Sequence, residues 1–266
     1  VLMDLADYMK QNQCAYRWTT GKFVIVDNSV TYHSREPFEG RRKVFAAIGQ
    51  GTKPVETGMT HLVLNTADKM PMLGLGLWKM PNNVCGQVVY DAIKSGYRLL
   101  DSACDYGNEH ETGKGIKRAL DEGIVKREEL FVVSKLWNTF HRPEHVREAC
   151  LKSMQDLGVD YLDLYLIHFP IALAHVPMDR LYPPEWVNFD ETVNGGRPRM
   201  VLDEGVTYMQ TYRAMEELVR EGLVRNIGVC NVGTTTLRQV LIESTIKPAV
   251  LQIELHPQLT QEKLIR

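Results

Sequence analysis

Two segments decide the fold: residues 130–137 read LFVVSKLW, and residues 161–169 read YLDLYLIHF. Their apolar residues stand on consecutive positions and not on alternating ones, which is typical of parallel strands that are buried on both faces. The same character recurs in four further short apolar runs, at residues 72–78, 97–103, 224–231 and 250–255. The sequence therefore predicts a sheet of parallel strands.

Helical patterns separate these apolar runs. In residues 145–157 the apolar side chains recur three and four positions apart, which produces one apolar stripe along a helix. Similar spacing is found in residues 84–95, 112–122, 212–220 and 237–242. Glycine follows most of these segments closely, at the position where a left-handed residue ends a helix: Gly96, Gly123, Gly158 and Gly222. Strand, helix and glycine that repeat every 25–35 residues or so indicate βα units.

The predicted fold class is α/β, a (β/α)8 TIM barrel that is incomplete, because about six of its eight βα units are visible. An open barrel leaves two strand edges unpaired, so we expect a missing segment or a protein partner to complete it. The regular spacing is interrupted by residues 176–200, which are rich in aromatic residues and proline. This stretch is expected to form a long loop, and such loops commonly serve as lids or binding walls.

The composition excludes several classes of protein. With 44% hydrophobic and 24% charged residues the chain has the composition of a globular protein. Its 31 Lys and Arg residues nearly balance its 33 Asp and Glu residues, which argues against a nucleic-acid or membrane-surface partner. No apolar run approaches the roughly 18–20 residues of a membrane span. The five cysteines are scattered without a CxxC pair, which indicates reduced thiols and a cytoplasmic location.

Polar residues stand at the ends of successive predicted strands: Asp101, Lys135 and His168, with Tyr106 five positions after Asp101. Barrel enzymes place their active sites at the carboxyl ends of the strands. A lysine ammonium held by an aspartate is expected to lower the pKa of a nearby tyrosine from about 10 toward the working pH. Such a tyrosine can protonate a carbonyl oxygen, which His168 can orient by a hydrogen bond.

Each of these residues also has a purely structural interpretation. Asp101 would cap a turn, Lys135 would be a lysine at a strand end, and His168 would be a core histidine with its hydrogen bonds satisfied. Their occurrence together favours the catalytic interpretation.

Residues 61–266 resemble the aldo-keto reductases, and among them the xylose and aldose reductase group. The resemblance runs through HLVLNTADKMPMLGLGLWKM, LLDSACDYGNEHETGKGIKRAL, VVSKLWN, DLYLIHFP, NIGVCN and KPAVLQIELHP. It implies that the chain reduces an aldehyde or ketone to an alcohol and uses NADPH or NADH as cofactor. The substrate would be a small aldose-like carbonyl compound. In this resemblance Asp101, Tyr106, Lys135 and His168 match the catalytic tetrad, and Tyr106 is the general acid.

The resemblance also implies binding residues. Asn231 and Gln252 match the residues that bind the nicotinamide carboxamide, and Cys230 stands where the family usually has serine in the same site. Trp78 and Trp137 match the aromatic walls of the substrate pocket.

The chain departs from the family at two further positions. Leu77 stands where Thr or Cys is usual, and Ala67 replaces a turn glycine in the hairpin that closes the barrel floor. The family's last two strands carry the segment that grips the adenosine phosphate, and this segment is not found here. The choice between NADPH and NADH is therefore left open.

Residues 1–55 do not fit the reductase family, and residues 49–61, GQGTKPVETGMTH, are predicted to be a linker. The first segment resembles the C-terminal end of TauD-like Fe(II)/2-oxoglutarate dioxygenases, which fold as a double-stranded β-helix. In that resemblance His33 matches the distal iron ligand, and Arg42 matches the arginine that pairs with 2-oxoglutarate. None of the eight histidines is followed two positions later by Asp or Glu, so this chain cannot complete the iron triad. A hairpin histidine without metal is the alternative for His33.

Three hypotheses about function follow. The first is a fusion protein in which the end of a dioxygenase-like module precedes an active reductase. The second is a structural subunit that keeps the barrel as a binding surface. The third places the principal activity in the dioxygenase half.

Overall fold

The computed structural model of the chain describes residues 60–187, 199–256 and 258–265. The chain divides into two compact units, one formed by Ala47–Ile253 and the other by Val1–Ala46 with Glu254–Arg266. In the second unit, the described residues form one short helix, Glu262–Ile265, and an isolated bridge between His256 and Leu259. The predicted dioxygenase-like segment, with His33 and Arg42, and most of the predicted linker lie outside the described residues.

The larger unit is built on a six-stranded sheet in which every neighbouring pair of strands is parallel. The strands follow one another across the sheet in chain order: β3 (Gly74–Gly76), β4 (Leu99–Asp101), β5 (Phe131–Leu136), β6 (Leu162–Ile167), β7 (Val224–Cys230) and β8 (Val250–Gln252). Each lies within one of the predicted apolar runs. The predicted incomplete (β/α)8 barrel is confirmed.

Helices connect the strands at the predicted places: α1 (Asn82–Lys94), α2 (Glu109–Asp121), α3 (Pro143–Leu157), α4 (Tyr208–Arg220) and α5 (Thr234–Glu243). All five begin two to four residues earlier than the apolar periodicity predicted, because polar residues of a first turn, or the capping residues before it, carry no such periodicity. The start of α4 shows why: the Thr207 hydroxyl accepts from the Gln210 backbone N–H, and the Gln210 side chain accepts from the Thr207 N–H. The glycines predicted to follow four of the helices all have positive φ, at 104°, 68°, 64° and 75°.

A hairpin of β1 (His61–Val63) and β2 (Lys69–Pro71) precedes the sheet. Ala67, in its turn, has φ of 71°, the left-handed conformation that the family's usual glycine would adopt without strain. Asn226 of β7 anchors this turn, since its side chain accepts from the Thr66 hydroxyl at 2.5 Å and donates to Asp68 Oδ2 at 2.7 Å.

The barrel core is formed by inward side chains of the strands, and the hairpin residues Leu64 and Met70 belong to the same buried cluster. β5 and β6 are buried along their whole length, as expected for strands covered on both faces. The hairpin therefore packs against the core at the amino ends of the strands, opposite the predicted active-site face.

The long segment between β6 and α4 has irregular structure in its described residues, and its two limbs meet in a bridge between Leu173 and Leu202. The predicted long loop is thus found in residues 176–187 and 199–200. The four described cysteines are buried and form no disulfide: Cys85, Cys104, Cys150 and Cys230. Among the described helices, none has the length and apolar character needed to cross a membrane.

Candidate active site

Lys135 is the centre of the polar cluster at the carboxyl ends of the strands. Its side chain is 1% exposed, and its ammonium donates to Asp101 Oδ1 at 2.8 Å, to the Ser102 carbonyl at 2.8 Å and to Tyr106 Oη at 3.0 Å. An ammonium has three N–H donors, so all of them are used. The predicted convergence of Asp101, Tyr106 and Lys135 is therefore observed.

Strand register explains how these residues meet. Asp101 ends β4 and pairs with Val133, which places Lys135 two positions farther along β5 and on the same side of the sheet as Val133. Tyr106 ends a short 3-10 helix, Cys104–Tyr106, that begins three positions after the end of β4. Backbone geometry thus delivers the carboxylate, the ammonium and the phenol to one place.

The electrostatics of Tyr106 differ from the expectation. Burial raises the pKa of Tyr106 more than the neighbouring Lys135 ammonium lowers it, and the pKa becomes about 12. The expected lowering below the ordinary value was wrong, because it ignored the cost of placing a phenolate in a buried site. Burial lowers the pKa of Lys135, but Asp101 and Tyr106 raise it by more. The pKa of Lys135 therefore lies above its ordinary value, and the ammonium stays charged. At neutral pH the cluster holds a protonated phenol against a charged lysine.

His168 lies directly after β6 and is buried. Its ring meets the Tyr106 ring edge-to-face, with centroids 5.8 Å apart, and Nδ1 lies 3.0 Å from Asp105 Oδ1. Burial lowers the pKa of His168, while Asp105 acts in the opposite direction. A neutral imidazole with Nδ1 facing the carboxylate leaves Nε2 as the nitrogen for a substrate oxygen. The sequence analysis missed Asp105, although it stands between two predicted catalytic residues.

The predicted cofactor-binding residues lie beside this cluster. Gln252 ends β8, and its Nε2 donates to Asp101 Oδ1 at 3.3 Å. The Cys230 thiol donates to Gln252 Oε1, with Sγ and Oε1 3.8 Å apart. Asn231 follows β7 with φ of 55°, its side chain donates to the His168 carbonyl at 2.8 Å, and its backbone N–H donates to the Gln252 carbonyl at 3.0 Å. Burial raises the pKa of the Cys230 thiol, so it is neutral.

These two amides fit a carboxamide ligand. A primary amide offers two N–H donors and two acceptor positions, and each of Asn231 and Gln252 uses one N–H in the bonds above. The remaining donor and acceptor positions are those that a nicotinamide carboxamide requires.

The two predicted tryptophans have different environments. Trp78 follows β3, is 61% exposed and has Lys79 Nζ 4.1 Å above its ring. Trp137 is buried, donates to the Glu185 carbonyl at 3.2 Å and meets the Trp186 ring edge-to-face at 4.8 Å. Trp137 also meets the His168 ring edge-to-face, with centroids 5.3 Å apart. Trp78 is thus open to a ligand, whereas Trp137 is packed against His168 and beneath the long loop.

Phe169 and Trp186 were not singled out by the sequence analysis. The Phe169 ring stacks on His168 with centroids 4.8 Å apart and meets Trp186 at 4.9 Å. The motif YPPEW in the long loop was the signal for Trp186, but its contact with residues after β5 and β6 could not be derived from spacing. Together the fold and the site define a parallel α/β barrel with an acid–base cluster at the carboxyl ends of its strands.

Comparison with known proteins agrees with this class. Residues 72–266 match the aldo/keto reductase family, and this chain belongs to that family. Residues 1–48 match the taurine catabolism dioxygenase TauD, TfdA family, as the resemblance of the first segment predicted.

Individual relatives agree in kind. The chain is 50% identical over 208 residues to an NADPH-dependent aldose reductase of Saccharomyces cerevisiae, covering 78% of this chain and 63% of the relative. It is 48% identical over 212 residues to an NAD(P)H-dependent D-xylose reductase of Kluyveromyces lactis, covering 78% and 64%. A Bombyx mori aldo-keto reductase, solved in complex with NADP, is similar with a TM-score of 0.66 at 36% identity, covering 77% of this chain and 61% of that one. The chain therefore spans slightly more than three fifths of the length of these relatives.

Proposed function

We propose that this chain carries the carbonyl-reducing centre of an NADPH- or NADH-dependent reductase that converts an aldehyde or ketone into an alcohol. One observation carries the proposal: the Lys135 ammonium, held by Asp101 and the Ser102 carbonyl, donates to Tyr106 Oη at 3.0 Å. An aldose-like substrate is proposed because relatives of this chain are named aldose and D-xylose reductases.

The cofactor would be held by residues that are already close together. Asn231 and Gln252 would bind the carboxamide of a nicotinamide, beside Cys230. When bound, the nicotinamide supplies hydride to the carbonyl carbon. The chain's own residues then have one task, which is to bind the substrate oxygen and protonate it.

Tyr106 is suited to give that proton. Because Lys135 donates to the phenol oxygen, the phenol's own hydrogen points to another acceptor, and a substrate oxygen is the acceptor that we propose. A pKa of about 12 keeps the proton on Tyr106 until a stronger base forms, and an alkoxide is such a base.

Lys135 and His168 assist without moving. The phenolate left by proton transfer lies against an ammonium whose other two hydrogen bonds fix its position, so no reorganisation is needed as charge develops. His168, oriented by Asp105, would hold the substrate oxygen through Nε2.

The proposal is tested by following NADPH and NADH oxidation with D-xylose and with propanal. Tyr106→Phe removes only the phenol hydroxyl, and general acid catalysis is worth roughly 100- to 10,000-fold, so turnover should fall by at least 100-fold. Tyr212→Phe is the matched control, because Tyr212 donates from a buried position to the Ile246 carbonyl ahead of β8, far from the carboxyl ends of the strands. Turnover retained in Tyr106→Phe would contradict the proposal.

The match of residues 1–48 supports a second proposal, that the chain joins the end of a dioxygenase-like segment to the reductase. In it His33 would bind Fe(II), and Arg42 would pair with 2-oxoglutarate. Because this chain cannot complete the iron triad, the test is iron-dependent release of succinate from 2-oxoglutarate by a longer polypeptide that supplies the other two ligands. Loss of that release in His33→Ala is expected, and release that persists in His33→Ala would contradict the proposal.

A further inference from the structure

Asn108 is a buried amide next to the site, and the proposed mechanism gives it no role. It is 0% exposed and directly precedes α2. Its Nδ2 donates to the Leu77 carbonyl at 2.8 Å and to the Met80 carbonyl at 3.1 Å. Both carbonyls belong to the loop of residues 77–81, between β3 and α1, which carries Trp78.

Leu77 also links this loop to Asp101, the last residue of β4. Its backbone N–H donates to the Asp101 carbonyl at 3.1 Å, while its own carbonyl accepts from Asn108. Asn108 stands two positions after Tyr106. The residue before Trp78 is therefore held on one side by Asp101 and on the other by the turn that carries the phenol.

A second hydrogen bond joins the start of α1 to the turn that carries Tyr106. Asn82 Nδ2 donates to the Gly107 carbonyl at 3.0 Å. Gly107 has φ of 68°, and a Cβ at this position would lie 3.0 Å from Pro183 Cγ, so the turn is confined between the Trp78 loop and the long loop. The bonds from Asn108 to Leu77 and Met80 are the buried connection between this turn and the Trp78 loop.

The Trp78 loop needs such restraint. Lys79 has φ of 59°, a left-handed conformation that residues other than glycine seldom adopt unless their surroundings hold them there. Asn108 supplies two of the hydrogen bonds that bracket this residue. Without them the Leu77 carbonyl would keep only the bond from the Met80 N–H, at 3.1 Å, and the Met80 carbonyl would have to find another donor. Both residues are buried, so water reaches that carbonyl only if the loop moves outward.

We propose that Asn108 is a positioning residue that fixes Trp78 relative to the Tyr106 hydroxyl and thereby sets the width of the substrate pocket. The inference rests on the proposed function, because it assigns Trp78 to the pocket and Tyr106 to the reacting oxygen. Asn108 would act through the carbonyls of Leu77 and Met80, to which its side chain donates. Its effect should depend on substrate size, since a bulky substrate uses the Trp78 wall and a small one does not.

Kinetics on the full chain test this dependence. In Asn108→Ala, the KM for a bulky aromatic aldehyde should rise by about tenfold or more, with kcat within about twofold, because displaced binding groups weaken positioning. For propanal both constants should stay within about twofold. Tyr212→Phe also loses a buried bond to a carbonyl and should change neither. Equal losses of kcat for both aldehydes, or an unchanged KM for the bulky one, would overturn the inference.

Hydrogen exchange provides a readout without turnover. Asn108→Ala should speed exchange of the Leu77 and Met80 amides by about tenfold and leave β6 amides unchanged, since the opening is local. Asn108→Ser, which keeps one short donor, should give a smaller change of the same pattern and serves if the alanine variant does not fold. Uniform acceleration throughout the barrel would make Asn108 a general stabiliser and overturn the inference.

The two proposals fail separately. Full turnover in Tyr106→Phe contradicts the proposed function. Unchanged kinetics and exchange in the Asn108 variants, with Tyr106→Phe inactive, contradict only the positioning role.

Discussion

Glu109 is a buried carboxyl whose ionisation should lower the stability of the barrel as the pH rises from about 4.5 to about 7. It begins α2, is 3% exposed and accepts hydrogen bonds from the Ser134 hydroxyl at 2.6 Å and the Ser153 hydroxyl at 2.9 Å. Burial raises the pKa of Glu109 from its ordinary 4.5 to about 7, although both serines oppose the change. The elements α2, β5 and α3 therefore meet at the Glu109 carboxyl, whose raised pKa favours its neutral form.

The sign of the pH dependence follows from proton binding. Between pH 4.5 and 7 the folded chain keeps the Glu109 proton that the unfolded chain releases, so the free energy of unfolding falls as pH rises through this window. Each unit of pKa difference corresponds to about 1.4 kcal/mol, which gives a loss of about 3 kcal/mol above pH 7. That is a large fraction of the stability of an ordinary domain.

Glu109→Gln replaces the carboxyl with a neutral group of nearly the same shape that can bond to both serines. Urea unfolding of the two chains between pH 5 and pH 8.5 should show a small difference at pH 5, and the glutamine chain should be about 3 kcal/mol more stable at pH 8. The difference between chains is the useful quantity, because burial also lowers the pKa of His141 to about 4 and gives the wild-type curve an opposite slope in acid.

The exposed carboxyl Glu204 provides the control, since Glu204→Gln should change stability by less than about 0.5 kcal/mol at either pH. A Glu109→Gln chain that is less stable at pH 8, or a difference that does not depend on pH, would refute the reasoning.

Two further substitutions test other features. Asp105→Asn removes the charge that lies 3.0 Å from His168 Nδ1, so the pKa of His168 should fall further and kcat/KM should drop about tenfold, as checked by NMR titration of the imidazole and by NAD(P)H oxidation. An unmoved titration midpoint would contradict the assigned contact. Ala67→Gly should raise the free energy of unfolding in urea by about 0.5–1 kcal/mol, because φ of 71° costs alanine more than glycine. A loss of stability there would show that the turn relaxes in solution.

The strands and the meeting of the tetrad could be predicted from the sequence because both follow from regular backbone geometry. Strands such as β5 and β6 are buried on both faces, so apolar residues are required at consecutive positions and form continuous runs in the sequence. Asp101 and Lys135 end neighbouring strands of one parallel sheet, so their convergence needs no knowledge of side-chain packing. Helix starts were less accurate, because polar first turns such as that of α2 carry no apolar periodicity.

The rest depends on contacts between loops that are distant in the chain. The raised pKa of Tyr106 requires its burial to be known, and the sequence offered only its charged neighbours. The covering of Trp137 by Trp186 joins a loop after β5 to one after β6. The bond from Asn108 to Leu77 crosses 31 positions and has no periodic signal at all.

The three acceptors around Lys135 restrict how this chemistry can be transplanted. They converge on a single nitrogen from a carboxylate, a carbonyl and a phenol. Arginine spreads its donors over a planar fork, so an equal charge would not reproduce this tripod. An engineer who wished to build the proposed proton donor into another barrel would have to graft the strand-end carboxylate, the backbone turn and the phenol as one unit.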